Sequence, residues 1–311
     1  MSINSKNPLA LDDAESVFFN RELEVVKTQT YDVKHKPLKA FIYIPVSTEA
    51  NRGASEITYR SFDMVGTAMI IADYATDFPR VDAYGVEKTI KCKSIGNMYG
   101  YSIEEIRRSE FANKGLDTRR AYAARRSMEE KMDTLAWEGD EANGIQGFID
   151  YPGVSEYTIT ADGTGSSKLW STKDSDKIVR DVAGQFNYVV NSTNGMEVPN
   201  TWLLPFSKYS YIATTRMGDG SDKTILNYIK EVIPELTAIG WVNELSGKGA
   251  DGTDRSIMYV RDADHLTFEL PQPFEQFAPQ QKGMEFEIPC HAKIGGVIIY
   301  YTASVCFADG F

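Results

Sequence analysis

Histidine and cysteine are scarce, with three of each in 311 residues. Cys92, Cys290 and Cys306 form neither a CxxC pair nor an even set, which excludes a disulfide framework and suits a reducing compartment. They read as small buried hydrophobes. No apolar run approaches the roughly 18 residues that a membrane-spanning helix needs. The opening "MSINSKNPLALDDAES" has no basic region leading into an apolar core, so it is not a signal peptide, and no membrane partner is expected. Positive charge is also short: 33 Lys and Arg against 44 Asp and Glu leave a net charge of -11, which does not favour gripping a polyanion.

The motifs of common chemistries are missing too. His291 adjoins Cys290, but neighbours on a strand point to opposite faces and do not readily share one metal ion. No GxSxG elbow is present. Around Gly247, Lys248 and Gly249 a phosphate loop would need glycine at 242 and Ser or Thr at 249, where the chain has Val242 and Gly249. "GDEANG" and "DGTD" offer oxygen ligands without the spacing of a calcium loop. The expectation is no catalytic residue, no cofactor and no metal. "RRAYAARR" interleaves Arg with Tyr, but Arg125 with Glu129 and Arg126 with Glu130 are spaced as i,i+4 ion pairs, and pairing is preferred to nucleic-acid binding.

What is present is ordered structure, with 42% apolar and 12% aromatic residues. Residues 12–30 place Phe19, Leu23 and Val26 at helical spacing. After them "YDVKHKPLKAFIYIPVSTEANRG", with Pro37 and Pro45, reads as an extended, partly exposed segment. Period-two patterns in "SEITYRS" and "VEKTIKCKS" predict two strands with one wet face, joined through "ADYATDFPRVDAYG". This excursion from about 52 to 98 is too long and one-sided for a compact core, and it is expected to project. "LDTRRAYAARRSMEEKMDTLAWEGD" predicts a helix of about 20 residues, with Ala121, Ala124, Met128, Met132 and Leu135 on one face. Asp117 and Thr118 are its candidate caps. It runs into Gly139, Gly144 and Gly147, read as a structural corner. Between about 172 and 262 helices and strands alternate, as in a small α/β unit, and the chain returns to strands from Asp264.

Taken in order, these elements resemble the major capsid proteins of tailed bacteriophages, the Hong Kong 97-like fold. The resemblance runs along the whole chain and is carried by Leu135, Ala136, Gly139, Asp140, Gly144, Ile145, Gly147 and Phe148 after the long helix, and by the tail "GMEFEIPCHAKIGGVIIYYTASVCFADG". It implies an α+β fold with an N-terminal arm (1–51), an extended β-hairpin loop (52–98) and a peripheral domain (99–171 and 263–311). The spine helix of that domain would run from about 117 to 138, and residues 172–262 would form an α/β axial domain. The function implied is self-assembly into an icosahedral shell enclosing the phage double-stranded DNA, within a virion built in the host cytoplasm.

The partners implied are copies of the chain in hexamers and pentamers, neighbours met through arm and loop, separate scaffolding, portal and decoration proteins, and DNA held without sequence-specific binding. Gly139, Gly144, Gly147, Arg125, Arg126, Glu129, Glu130, Asp77, Arg80 and Asp82 are the candidate structural and interface residues. Some family members weld neighbours through a lysine on the loop; residues 72–85 have none, while Lys88, Lys91 and Lys93 sit on the returning strand, so no crosslink is expected. The chain reaches the arm almost at once, so no fused scaffold or large N-terminal cleavage is expected. The alternatives are an encapsulin-like bacterial compartment with a protein cargo and, from another class, a hydrolase dependent on His291 or His265.

Overall fold

"RSIMY" is an arginine followed by four residues suited to burial, and the strand it forms, Arg255–Tyr259, is buried along its whole length. A strand covered on both faces must divide its side chains between two environments, because successive residues point oppositely. Here Ile257 and Tyr259 join one hydrophobic core while Met258 joins another. The computed structural model describes residues 36–65, 80–112, 118–218, 220 and 222–311. The expected helix at 12–30, the candidate cap Asp117, the site residue Asp77 and most of the loop tip lie outside them.

In chain order the elements are α1 (Ala40–Tyr43), β1 (Val46–Ser47), β2 (Glu56–Val65), β3 (Asp82–Lys91), β4 (Lys93–Ser102), α2 (Ile103–Phe111) and α3 (Arg119–Trp137). They continue with β5 (Gly139–Asp140), β6 (Ile145–Gln146), β7 (Ser155–Thr158), α4 (Ser175–Ser192), β8 (Thr201–Leu204), α5 (Phe206–Thr214), α6 (Ile225–Val232) and β9 (Ala238–Trp241). The remaining strands are β10 (Arg255–Tyr259), β11 (Leu266–Glu269), β12 (Gln272–Gln276), β13 (Gln280–Lys282), β14 (Glu285–Ile294), β15 (Gly296–Ile299) and β16 (Val305–Asp309). The class is α+β.

One sheet runs β7-β16-β10-β8-β9 and forms the wall between the two cores. Trp202, Leu204, Met258 and Ala308 face the core covered by α4, α5 and α6, where Ile178, Val182, Ile212, Ile225 and Ile229 are buried. Leu203, Ile257, Tyr259, Val305 and Phe307 face the other core, beneath α3, with Met128, Met132, Leu135, Ala136 and Trp137. The wall crosses the boundaries expected at 172 and 262, because Ser155–Thr158 and Val305–Asp309 both pair into it. In a second sheet β4 pairs with β14 along ten residues, Lys93 opposite Ile294 and Ser102 opposite Glu285.

Three features depart from expectation. The segment expected to be extended and partly exposed instead forms α1, with Ala40 and Ile44 fully buried. The reason lies 94 residues away in the chain: the buried Asp133 of α3 accepts the backbone N–H groups of Lys39 (2.9 Å) and Ala40 (2.8 Å), which supplies the N-terminal partner that α1 lacks locally. Second, the loop ends at Cys92, not at 98, since β4 leaves the hairpin for β14. Third, α5, an aromatic stretch without strong periodicity, was not expected as a helix.

The spine helix ends as its glycines dictate. Trp137 is its last residue, and Gly139 takes φ +72°. A two-strand ribbon, β5 with β6, then turns through Gly144, also at φ +72°. The chain folds back so that Phe148 N–H donates to Ala136 O (2.9 Å) and Ile149 N–H to Trp137 O (3.0 Å), which satisfies carbonyls of the last helical turn. Gly147 has an ordinary φ but no room: a Cβ there would lie under 3.0 Å from the backbone of Trp137, Glu138 and Gly139. Gly144 opens to empty space.

Two outcomes follow for the unassembled protein. In urea unfolding Gly144→Ala should cost about 1 kcal/mol, the left-handed penalty alone, whereas Gly147→Ala should cost at least about 3 kcal/mol or abolish soluble expression. Equal effects at both positions would refute the corner geometry. Asp133→Ala should cost about 3 kcal/mol and Asp133→Asn roughly half of that, because the amide keeps one acceptor oxygen. A thermal midpoint unchanged by Asp133→Ala would remove Asp133 as the cap of α1.

Candidate functional site

For a chain without a catalytic motif, the surfaces that could meet other molecules form the site. The most distinct is the ribbon of β2 and β3, which pair from Glu56 opposite Lys91 to Val65 opposite Asp82 and share no ladder with another strand among the described residues. Opposed residues on an antiparallel pair share a face. From Glu56 to Arg60 one face is polar and internally matched: Arg60 Nε donates to Glu87 Oε1 at 2.6 Å, and the hydroxyls of Thr58 and Thr89 lie 2.9 Å apart. The other face begins against the body, where the rings of Tyr59 and Tyr300 meet edge-on at 5.3 Å and Ile57 and Ile90 lie beside Gly295. It continues outward through Val86 and Tyr84, which are 57% and 62% exposed.

The sequence-predicted site residues fall into separate groups. Gly139, Gly144 and Gly147 come together at the helix corner. Arg125 pairs with Glu129 (2.8 Å) and Arg126 with Glu130 (2.9 Å) along α3, as i,i+4 spacing allows. Arg80 and Asp82 sit at the far end of the ribbon in an exposed 3.7 Å pair, too loose to stabilise much.

Near the start of α3, Arg120 binds both carboxylate oxygens of Glu105, at 2.7 and 3.0 Å. Glu105 also accepts the Ser102 N–H while Ser102 Oγ accepts the Glu105 N–H, so α2 opens with a reciprocal capping box. The Arg120 hydrogen bonds, helped by that backbone N–H, hold the Glu105 carboxyl at about 2.

Two buried ionic clusters were not anticipated. Arg255, at the start of the central strand β10, binds both oxygens of Asp309 at 2.8 Å, Asp150 at 2.8 Å, Glu156 at 3.3 Å and the Ile149 carbonyl at 2.8 Å. It thus ties β10, β16 and β7 to the chain leaving the glycine corner. Its guanidinium also lies 4.7 Å from the centre of the Phe307 ring. In the second cluster Lys173, with a fully buried side chain, donates to Asp181 (2.5 Å) and Thr160 O (2.7 Å) and lies 3.2 Å from Asp162, which also pairs with Arg180. Burial pushes the Asp181 carboxyl up, against the pull of Lys173, whereas Arg180 above all holds Asp162 low. Arg255 at the head of the buried run Ser256–Tyr259 was an available signal; for Asp133, between Met132 and Thr134 on an amphipathic helix, and for Lys173, in a loop, there was none.

These clusters are spent on holding elements together. Burial pushes the Cys306 thiol up to about 12, which disfavours its thiolate. His265 Nε2 sits 2.8 Å from Glu197, and the His291 ring lies 6.3 Å from Phe277. Among the described residues no group of His, Cys, Asp and Glu is arranged to hold a metal ion, and no helix is long and apolar enough to cross a membrane.

Comparison with known proteins gives these surfaces a context. The capsid of Myoviridae phage XM1 matches with a TM-score of 0.78 at 17% identity, covering 95% of this chain and 99% of that one. The capsid of the native GTA particle matches at 0.61 and 12% identity, covering 96% and 99%. The virus-like particle from Pyrococcus furiosus matches at 0.55 and 12% identity, covering 86% and 91%. No curated protein matches. Likeness at such identities speaks to the fold, and the fold is Hong Kong 97-like. Membership rests on the sequence itself: the model of the family described as major capsid protein matches residues 66–311, so this chain belongs to the shell-forming major capsid proteins.

Proposed function

We propose that the chain closes into an icosahedral shell of hexamers and pentamers around the double-stranded DNA of a tailed bacteriophage, as a virion component assembled in the host cytoplasm. The observation that carries this reading is the β2–β3 ribbon, a two-stranded sheet on which Tyr84 and Val86 stand exposed. Such a ribbon is at best marginally stable alone and gains from a cover. In this reading 1–51 is an arm and the ribbon an extended loop, both engaging neighbours. The elements around α3 form the peripheral domain and those around α4 to α6 the axial one, the two sharing the β7-β16-β10-β8-β9 wall.

The residues support a shell whose work is geometric and not catalytic. The net charge of -11 suits a container that holds DNA without gripping it. The same fold around a protein cargo, an encapsulin-like compartment, is the weaker reading, since the XM1 phage capsid is the better structural match, at 0.78 against 0.55 for the Pyrococcus furiosus particle. Scaffolding, portal and decoration proteins are the further partners this reading calls for. Covalent welding of neighbours is not part of it, and a ladder of multimers on denaturing gels of purified particles would contradict that point.

The purified full chain should form closed particles, alone or with its phage's other assembly proteins, visible by electron microscopy and sedimenting far ahead of the monomer. Particles from infected cells should protect DNA from nuclease. Persistent monomers under all those conditions would sink the shell reading, and particles filled with protein in place of DNA would favour the compartment.

A further inference from the structure

The chain contains two Asn-Gly pairs, Asn143–Gly144 in the run "GDEANG" and Asn194–Gly195 just past the end of α4. Glycine has no side chain to shield its backbone nitrogen, and in such a pair that nitrogen can attack the asparagine Cγ. The N–Cγ bond forms and the Cγ–Nδ2 bond breaks. The amide nitrogen leaves as ammonia, taking up the proton that the glycine nitrogen gives away. Water then opens the cyclic imide at either carbonyl and leaves aspartate or isoaspartate.

Exposure does not separate the two pairs, since all four residues are exposed and nothing lies within 4 Å of where a Cβ on either glycine would be. The backbone does. Asn194 has φ +51°, and with ψ near the left-handed value of about +47° the next nitrogen lies anti to Cβ, as far from Cγ as that rotation allows. Gly195 N–H also donates to Val190 O at 2.7 Å and Asn194 N–H to Asn191 O at 3.2 Å, the bond pair that closes α4. Asn143 instead ends a short 3₁₀ turn, Glu141–Asn143, and its φ is not positive. In a helical turn the next nitrogen stands roughly at right angles to Cβ. Gly144 N–H makes one bond, to Glu141 O at 3.0 Å, and that bond closes a single turn only.

What holds Asn143 back is Asp140. Asn143 Nδ2 donates to Asp140 Oδ2 at 2.8 Å and Asn143 N–H to Asp140 Oδ1 at 3.2 Å, so the side-chain amide is drawn toward the start of the turn, away from Gly144. These bonds, the side-chain one foremost, hold the Asp140 carboxyl below its ordinary range and keep it anionic. An anion beside the turn opposes loss of the Gly144 amide proton.

We propose that Asn143 is a site of spontaneous deamidation restrained by Asp140, and that Asn194 is spared because its glycine closes α4. The product loses the amide donor and sets a second carboxylate against Asp140. In the isoaspartate form the backbone also gains a methylene between β5 and β6, next to Ile145 of the core beneath α3. The inference depends on the helix corner alone and stands apart from the shell reading.

The test incubates the full chain, folded and in urea, in mildly alkaline buffer and follows both Asn-Gly peptides by mass spectrometry with isoaspartate detection. In urea the two should convert within about twofold of each other, because the local sequence is then all that differs. In the folded protein Asn143 should convert at least about tenfold faster than Asn194, the factor that goes with one well-made hydrogen bond and an unfavourable rotation at the slower site. Asp140→Ala should speed conversion at Asn143 by a further factor of about ten and leave Asn194 unchanged, the loss of a bond to a charged acceptor. The melting curve of that variant shows whether the corner is still folded. If it is not, Asp140→Asn, which removes the charge and keeps one acceptor oxygen, takes its place. Equal rates at the two sites in folded protein, a faster Asn194, or conversion at neither while the unfolded chain converts would each overturn the assignment. An unchanged rate at Asn143 in a folded Asp140 variant would overturn the restraint.

Discussion

The structure depends on one strand that serves two cores. β10 is buried on both faces, and its alternation sends Ile257 and Tyr259 beneath the spine helix and Met258 beneath α4, α5 and α6. The same division continues across β8 and β16, so the wall cannot slip by one residue without exchanging the contents of both cores. Arg255 fixes that register from the end of the strand. Its bonds to Asp309, Asp150, Glu156 and Ile149 O join the wall to the chain that has just turned the glycine corner. A buried arginine without partners would be strongly destabilising, so those carboxylates and the strand position must occur together.

From this wall outward each element is held by one further contact. Phe148 stacks edge-on against Tyr259 at 5.0 Å, and the Tyr259 hydroxyl donates to Tyr43 O at 2.8 Å. Asp133 on the spine helix closes the other end of α1. The corner, α1 and the spine helix are thus referenced to β10, which gives the ribbon that follows α1 and β1 a firm root.

Much of the fold was legible from periodicity. The spine helix, α4 with its row of Ile178, Val182, Phe186 and Val189, and the two ribbon strands were all readable, since a repeat of 3.6 or 2 is a local property of the chain. The glycine corner was legible as a corner, but not the different reasons for its members: Gly144 is needed for its φ and Gly147 for lack of space, and the second depends on what lies across the turn. The end of the hairpin was placed at 98 and not at Cys92, because a strand looks the same whether its partner is the next strand or one nearly two hundred residues on. α1 was missed for a similar reason, as four residues between prolines have no helical signal of their own and take their cap from Asp133.

The sequence by itself determined the class of molecule. The order of elements and the run after the spine helix carried the resemblance to the major capsid proteins that the family match bears out, because both are read along the chain. The tertiary structure alone decided how the charges are used and which surfaces remain. Arg255 and Lys173 find carboxylates far away in sequence or across a loop, and Arg60 meets Glu87 only once the two ribbon strands are in register. The partners of Arg255 and Lys173 turn on distances between groups that the chain brings together only by folding, whereas the i,i+4 pairs of α3 were already readable from spacing.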